Sequence, residues 1–126
     1  MAFDIAPLTN APAFGATYTV NIPATVGRMD LSLVTTTPGV DVDSYVRYGE
    51  PSTGSTYDYV GNSVTGSELI TVTKSSTSPL KAGTYYISLA VFSASVRVAG
   101  TLRAILSGSL PDVMKDIQPS LNSPSH

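Results

Sequence analysis

The sequence predicts an all-β fold, either an antiparallel β-sandwich or a small barrel, and three observations support this class. Apolar and polar side chains alternate through most of residues 17–106, which is the period of a half-buried strand. Clusters of Gly, Pro, Ser and Asn interrupt the alternation at intervals of roughly 8–12 residues. No long segment of helical periodicity lies between the alternating runs, so antiparallel pairing is favoured over a mixed α/β fold.

Six strands follow from this alternation. They are Thr17–Pro23, Arg28–Thr36, Val42–Tyr48, Ser67–Thr73, Thr84–Phe92 and Ser95–Leu106. In each run one parity is apolar and is predicted to face the core. The main core-facing residues are Tyr18, Val20, Ile22, Met29, Leu31, Leu33, Val42, Val46, Tyr48, Ile70, Val72, Tyr85, Ile87, Leu89, Val91, Val96, Val98, Leu102 and Leu106. The opposite parity is predicted to face water, and there Arg97 and Arg103 serve solubility or protect a strand edge.

The two ends of the chain are predicted to lie outside the sandwich. Residues 1–16 form an N-terminal segment, residues 17–107 the sandwich, and residues 108–126 a short helix followed by a disordered tail rich in Ser and Pro. The helix is predicted over 111–118, because it starts with Pro and its apolar residues share one face. A helix of about two turns is not stable in isolation, so this helix either docks on the sandwich or belongs to a linker.

Composition excludes several classes of function. The charged share is 13%, against roughly 25% in an average domain. With a net charge of −2 and no basic run, the chain has no electrostatic footprint for nucleic acid or anionic lipid. There is no cysteine, and the single histidine is His126, so disulfides, thiolate sites, a His-dependent triad and a His-ligated zinc site have no residues to be built from. No apolar run is long enough to predict a membrane span.

The composition also bears on localisation. The first residues, MAFDIAPLTNAPAFG, have neither a basic region nor an apolar region of the kind found in signal peptides. The chain is therefore either cytosolic or the mature part of an exported protein. Its surface is predicted to be neutral and rich in hydroxyl groups, with 17 Ser and 15 Thr. Such a surface is typical of extracellular bacterial β-domains and favours the second alternative.

Five segments together resemble the bacterial pre-peptidase C-terminal domain, a small β-sandwich found beside many secreted peptidases. They are YTVNIPA (18–24), MDLSLVT (29–35), DVDSYVRYGEPSTGSTYD (41–58), GSELITV (66–72) and PLKAGTYYISLAVFS (79–93). The resemblance implies a jelly-roll-like sandwich without catalytic activity, located next to a peptidase or other hydrolase domain. In the collagen-binding relatives from clostridial collagenases, acidic residues near the third segment hold calcium, and surface tyrosines hold the substrate. This chain departs from that pattern at Ser44, where Leu is common, and around Asp4 and Asn10, where the acidic cluster is thin.

Asp41 and Asp43 are the candidate metal ligands. They share a parity at the start of a strand, so their side chains can point to one side, about 7 Å apart along the backbone. Calcium needs six to eight oxygen ligands, so carbonyls, Asn or water would have to complete its shell. Alternatively, Asp41 makes a turn hydrogen bond after Pro38–Gly39, and Asp43 accepts from neighbouring N–H groups.

The tyrosines outnumber what a core of this size needs, and together with one arginine they form the candidate ligand-binding surface. These residues are Tyr45, Arg47, Tyr57, Tyr59 and Tyr86. Exposed tyrosines offer a broad contact area and a hydroxyl group at small entropic cost, which suits protein or glycan ligands. Alternatively, some of them pack under the loop 49–66 or against the C-terminal segment.

Enzyme activity is not expected. Carboxylates that could form a glycosidase pair, namely Asp30, Glu50, Asp58 and Glu68, are expected on strand exteriors or loop edges. The chain has no nucleophile elbow and no internal base for a serine. We therefore expect an accessory domain of an exported bacterial protein that binds a polymeric protein or glycan substrate or a neighbouring catalytic domain, or that assists export and maturation. The alternative is a structural spacer of the immunoglobulin-like or adhesin type with no ligand of its own.

Overall fold

The computed structural model describes residues 1–61 and 67–108 and contains eight β-strands. They are β1 (Ala2–Ile5), β2 (Ala13–Ile22), β3 (Val26–Thr35), β4 (Val42–Tyr48), β5 (Tyr59–Gly61), β6 (Ser67–Thr73), β7 (Gly83–Val91) and β8 (Val98–Gly108). The strands form two antiparallel four-stranded sheets. The first sheet has the order β1-β8-β3-β6, and the second has the order β2-β7-β4-β5. The two sheets pack as a sandwich, which confirms the predicted all-β class.

The chain crosses between the sheets at almost every connection. β4 and β5 are the one consecutive pair of described strands that are neighbours within a sheet. This winding brings strands distant in sequence together, so that β3 lies between β6 and β8, and β7 lies between β2 and β4. The outer face of each sheet is therefore formed by segments that are far apart in the sequence.

The core lies between the sheets and follows the predicted alternation. Met29, Leu31 and Leu33 on β3 are almost fully buried, as are Leu102 and Leu106 on β8. Such alternation is what places every second side chain of a strand in the core. The structure therefore confirms the inward parity predicted for β3 and for the main part of β8.

The N-terminal segment contributes more to the sandwich than the sequence predicts. β1 lies within residues 1–16 and pairs with Val98–Thr101 of β8, and its Phe3 and Ile5 are buried. A strand of four residues is too short to give a clear alternating signal. β2 also starts earlier than predicted, at Ala13, and a bulge between Phe14 and Ala16 shifts its register.

Two further differences concern the ends of predicted elements. Val96 was predicted to face the core, but it is 39% exposed and precedes β8. Ser95 has a φ of 62°, which breaks the extended alternation there. The predicted helix 111–118 and the tail that follows it lie outside the described residues.

Candidate binding surface

The outer face of the second sheet is formed by every second residue of β2, β4 and β7. The strand register places these residues in three rows across the sheet: Phe14, Ala90 and Asp43; then Thr17, Ser88 and Tyr45; then Thr19, Tyr86 and Arg47. Side chains in one row lie on the same side of the sheet because directly paired residues share a face. The face thus combines aromatic, hydroxyl and charged groups.

Three rings on this face form an aromatic cluster, which consists of Phe14, Tyr45 and Tyr57. Tyr45 lies in the middle, with its ring centroid 5.5 Å from that of Phe14 and 5.3 Å from that of Tyr57. Both contacts are edge-to-face, an arrangement that the ring quadrupoles favour. Phe14 is 38% exposed and Tyr57 is 43% exposed, so the cluster is packed internally and still accessible from solvent.

The loop between β4 and β5, residues 49–58, carries Tyr57 and is ordered by polar contacts within the loop and with β4. Ser52 is buried, and its hydroxyl donates to the Thr56 carbonyl (2.8 Å) and accepts from the Gly54 amide (3.1 Å). At the end of the loop, the Asp58 amide donates to the Val46 carbonyl (2.8 Å). These bonds fix the loop at both its centre and its end, which places Tyr57 against Tyr45.

A shallow groove of about 380 Å³ runs beside the cluster. Its lining consists of Pro12, Ala13, Phe14, Tyr45, Gly54, Ala90 and Phe92. Phe92 is 41% exposed, and its amide donates to the Asp41 carbonyl (3.0 Å), which fixes the backbone just beyond β7. Tyr45 is the one lining residue with a polar side chain, so the groove is suited to apolar groups of a ligand. We refer to these seven residues as the aromatic groove.

The structure brings together two of the five predicted binding residues. Tyr45 and Tyr57 belong to the aromatic cluster. Arg47 lies on the same face, but its guanidinium pairs with Glu50 (3.1 Å) and donates to the Pro51 carbonyl (3.4 Å), so it holds the loop 49–58 in place.

The other two predicted binding residues lie apart from the cluster. Tyr86 is half-buried and is paired with Arg47 on the outer face, without a ring contact among the described residues. Tyr59 points to the opposite side of the sheet, packs against the core, and donates its hydroxyl to the Ser78 carbonyl. Its role is therefore in packing. The alternative drawn from the sequence was packing under the loop 49–66 or against the C-terminal segment, whereas the contacts shown are with the core and Ser78.

Phe14 and Phe92 complete the groove and were not predicted as binding residues. Phe14 falls in the segment assigned to the N-terminus, and the bulge after it interrupts the alternation of β2. Phe92 continues the outward parity of Tyr86, Ser88 and Ala90 along β7. That parity was the signal in the sequence that could have identified it.

Two acidic side chains lie together beside the groove. Asp43 is 7% exposed, although it was expected on the polar side of the strand. Burial raises the pKa of Asp43, the charge of Asp41 raises it further, and a hydrogen bond with Glu68 acts in the opposite direction. Oδ1 of Asp41 and Oδ1 of Asp43 accept no hydrogen bond in the part of the chain that the structure describes. Asp43 is therefore an acidic group held in an unfavourable environment.

Glu68 links the two sheets at this edge. It was expected on a strand exterior, but it points inward from β6 and is buried, because it is paired with Leu33, whose side chain also faces the core. Its Oε1 accepts from the Ser44 amide (3.1 Å) and the Ser44 hydroxyl (2.9 Å) on β4 of the other sheet. A Cβ on Gly61 would lie 2.5 Å from the same oxygen, so any larger residue at position 61 would displace this carboxylate from its present position.

The other carboxylates considered for catalysis are engaged in structural contacts. Asp30 pairs with Arg28 (2.8 Å) and accepts from Thr71 (2.7 Å), and Asp58 accepts from the Tyr48 amide (2.8 Å). The Arg28 hydrogen bond lowers the pKa of Asp30. These contacts hold the carboxylates of Asp30 and Asp58 in place.

Asp41 and Asp43 are the calcium ligands that the sequence proposes, and they lie close enough for the charge of Asp41 to act on Asp43. Asp41 and Asp43 offer carboxylate oxygens without hydrogen-bond partners, which are suitable donors for calcium. However, no three His, Cys, Asp or Glu side chains within 1–61 and 67–108 are grouped around a common point where an ion could be held. Calcium at Asp41 and Asp43 stays a prediction.

No family model matches the chain, and no curated protein matches it. The resemblance to the pre-peptidase C-terminal domain therefore rests on the five sequence segments and stays a prediction. What the geometry defines is a β-sandwich domain with an accessible aromatic groove on one outer face. Among the described residues there is no helix of the length and apolarity needed to cross a bilayer.

Proposed function

We propose that this chain is a non-catalytic binding domain of an exported bacterial protein and that its aromatic groove takes an extended segment of a polymeric protein substrate. The observation that carries the proposal is the edge-to-face cluster of Phe14, Tyr45 and Tyr57 beside the groove. Exposed aromatic rings in a fixed arrangement are the usual centres of binding energy at protein interfaces. Such a surface needs no metal or cofactor.

The fixed arrangement favours binding because little entropy is lost on association. The loop 49–58 is held by the Ser52 bonds and by the pairing of Arg47 with Glu50. A surface ordered before binding avoids the free energy cost of immobilising side chains, about 0.5–1.5 kcal/mol for each flexible one. The three rings can therefore contribute most of their contact energy to affinity.

The lining of the groove favours a protein segment over a glycan. A sugar ring needs several hydrogen-bonding groups around it as well as a stacking surface, whereas the lining provides one polar side chain, Tyr45. An extended peptide presents apolar side chains on alternate positions and can place them in a shallow apolar groove. The sequence resemblance supports the same ligand class and the location beside a catalytic domain.

The proposal is tested by the retention of the isolated domain on immobilised gelatin and casein, with chitin and cellulose as glycan matrices. The test variant is Phe14→Ala/Tyr57→Ala, which removes two exposed rings and leaves the half-buried Tyr45. The matched control is Val34→Ala/Leu69→Ala, which removes exposed apolar side chains from the first sheet, where they are 44% and 68% exposed. We expect the test variant to bind at least about 30-fold more weakly than wild type, because the loss of one hot-spot ring costs about 2 kcal/mol and the losses of two rings in one cluster do not simply add.

The outcomes separate the proposal from its alternatives. Retention on gelatin or casein that is lost in the test variant and kept in the control supports the aromatic groove. Retention on chitin or cellulose alone identifies a glycan-binding domain and contradicts the ligand class. No retention on any matrix favours a structural spacer.

A further inference from the structure

The aromatic groove has an acidic side, which is formed by Asp41 and Asp43. Asp43 is paired with Ala90 and lies two residues before Tyr45 on β4, and both of these neighbours line the groove. Directly paired residues have Cβ atoms about 5 Å apart, and alternate residues of one strand lie about 7 Å apart. Asp41 lies two residues earlier, and its carbonyl accepts from the amide of Phe92, which also lines the groove. Both aspartates are therefore immediate neighbours of the lining.

No positively charged side chain pairs with these two carboxylates in the part of the chain that the structure describes. Oδ1 of Asp41 and Oδ1 of Asp43 accept no hydrogen bond there, and the ion pairs of that part involve other residues. Arg47 is the arginine of β4, but its guanidinium pairs with Glu50 (3.1 Å). The acidic side of the groove is therefore not neutralised by the described residues.

The negative charge also acts inside the groove. Burial raises the pKa of Tyr45, and the charge of Asp43 raises it further, so this charge is felt by the one polar side chain of the lining. Asp43 is 7% exposed, and buried charges are screened by salt much less than exposed ones. A ligand in the groove therefore experiences a negative potential on the side of β4.

We propose that the groove selects peptide segments in which an apolar side chain and an arginine or lysine are separated by one residue, a preference that rests on the proposed function of the groove. In an extended peptide these two side chains lie on the same face, about 7 Å apart. This distance matches the spacing of Tyr45 and Asp43 along β4. The apolar side chain packs against Phe14 and Phe92, and the cation lies at Asp41, which is half-buried and so remains reachable from solvent.

The chemistry of this surface favours arginine over lysine. The stem of a long basic side chain can pack along aromatic rings while its charged head remains at the rim. A guanidinium can in addition stack on the Tyr45 ring and donate two parallel hydrogen bonds to the carboxylate of Asp41. Such charge-assisted hydrogen bonds are roughly twice as strong as neutral ones. An acidic side chain at the same position of the ligand is repelled.

The test is the affinity of the full chain for three labelled peptides, measured by fluorescence polarisation in calcium-free buffer. The peptides share one leucine as the apolar residue and carry arginine, glutamine or glutamate two positions away from it. We expect the arginine peptide to bind about 10-fold more tightly than the glutamine peptide, and the glutamate peptide to bind most weakly. At about 1 M salt, where the Debye length is about 3 Å, the difference between the peptides should decrease.

Three variants locate the preference in the molecule, and circular dichroism confirms that each is folded. Asp41→Asn should reduce the difference between the arginine and glutamine peptides to about 2-fold or less, and Asp43→Asn should reduce it in part. The matched control Asp30→Asn removes the same charge from the outer face of the first sheet, where Asp30 is paired with Thr71 and Ile105. This control should leave the difference unchanged. Should Asp41→Asn not fold, an undiminished difference in Asp43→Asn overturns the proposal.

The outcomes separate this preference from the proposed function. A preference for arginine that Asp41→Asn loses and Asp30→Asn keeps supports the proposal. Equal binding of the three peptides overturns it, and so does a preference that both variants lose, since the net charge of the chain then suffices. Peptides that bind equally to wild type and are released by Phe14→Ala/Tyr57→Ala show a groove that binds without selecting charge. Absence of peptide binding overturns the preference, while the function of the groove is decided by retention on gelatin or casein.

Discussion

Replacing Asp43 by Asn should stabilise the protein at neutral pH, and the reason lies in the environment of the carboxylate. Asp43 is 7% exposed, and its Oδ1 has no hydrogen-bond partner among the described residues. Burial and the neighbouring charge of Asp41 raise its pKa. The ionised form of Asp43 is therefore less favourable in the folded protein than in the unfolded chain.

The pH dependence follows from the direction of this shift. A carboxyl group whose pKa is raised in the folded state binds a proton more tightly there than in the unfolded state, whose pKa is about 3.9. This tighter proton binding stabilises the folded protein fully at pH values below the unfolded pKa. The stabilisation is lost as the pH rises through the folded pKa. Asp43→Asn removes this loss, and the new amide can donate to Glu68. We expect the free energy of unfolding at neutral pH to rise by about 1 kcal/mol.

The assay is thermal unfolding of wild type and Asp43→Asn between about pH 4 and pH 8. A gain of about 1 kcal/mol corresponds to a melting temperature about 4 °C higher for a domain of this size. The gain should shrink as the pH falls, because wild-type Asp43 becomes protonated. Asp30→Asn is a control of opposite sign, since the Arg28 hydrogen bond lowers the pKa of Asp30 and its contribution is present above the unfolded pKa. A variant Asp43→Asn that is less stable than wild type at neutral pH, or a gain that does not change with pH, would refute this reasoning.

Three other changes have definite expected results. Gly61→Ala pushes a methyl group into the Glu68 carboxylate and should destabilise the fold by about 1–3 kcal/mol in denaturant unfolding; wild-type stability would show that β5 shifts freely. In a double-mutant cycle, Tyr45→Ala and Tyr57→Ala should show a coupling free energy of about 0.5–1.5 kcal/mol, and additive effects would mean that the edge-to-face contact contributes nothing. If the paired aspartates before and within β4 bind calcium, calcium at ten times its dissociation constant raises the melting temperature by about 5 °C, and an unchanged melt at millimolar calcium removes the assignment.

The layers of the sandwich could be predicted because alternation is a local property. Leu31 and Leu33 sit on the buried parity of β3, and nothing beyond the sequence of that strand was needed to place them. β1 and β5, with four and three residues, are too short to show a period, and their pairing depends on strands far away in the chain. Val96 was placed in the core wrongly because alternation holds only along an extended strand. A turn at Ser95 interrupts the extended backbone before β8 begins.

The candidate site could be predicted only in part, because it is assembled across segments. Tyr45 and Tyr57 were identified from their number and parity, but Phe14 reaches them from a strand that pairs with β7. The inward position of Glu68 was missed although it shares the parity of Ile70 and Val72, because a glutamate is ordinarily placed on the polar side of a strand whatever its parity. What stabilises it is Ser44 on the other sheet, a contact that only the fold creates.

Amide chemical shifts of the labelled domain, measured during titration with gelatin hydrolysate or casein hydrolysate, report directly whether ligands bind in the aromatic groove. Binding in the groove should produce concentration-dependent shifts clustered at residues 13–14, 45, 54–57 and 90–92. Shifts confined to the outer face of the β1-β8-β3-β6 sheet, or no shifts with either hydrolysate, would contradict it.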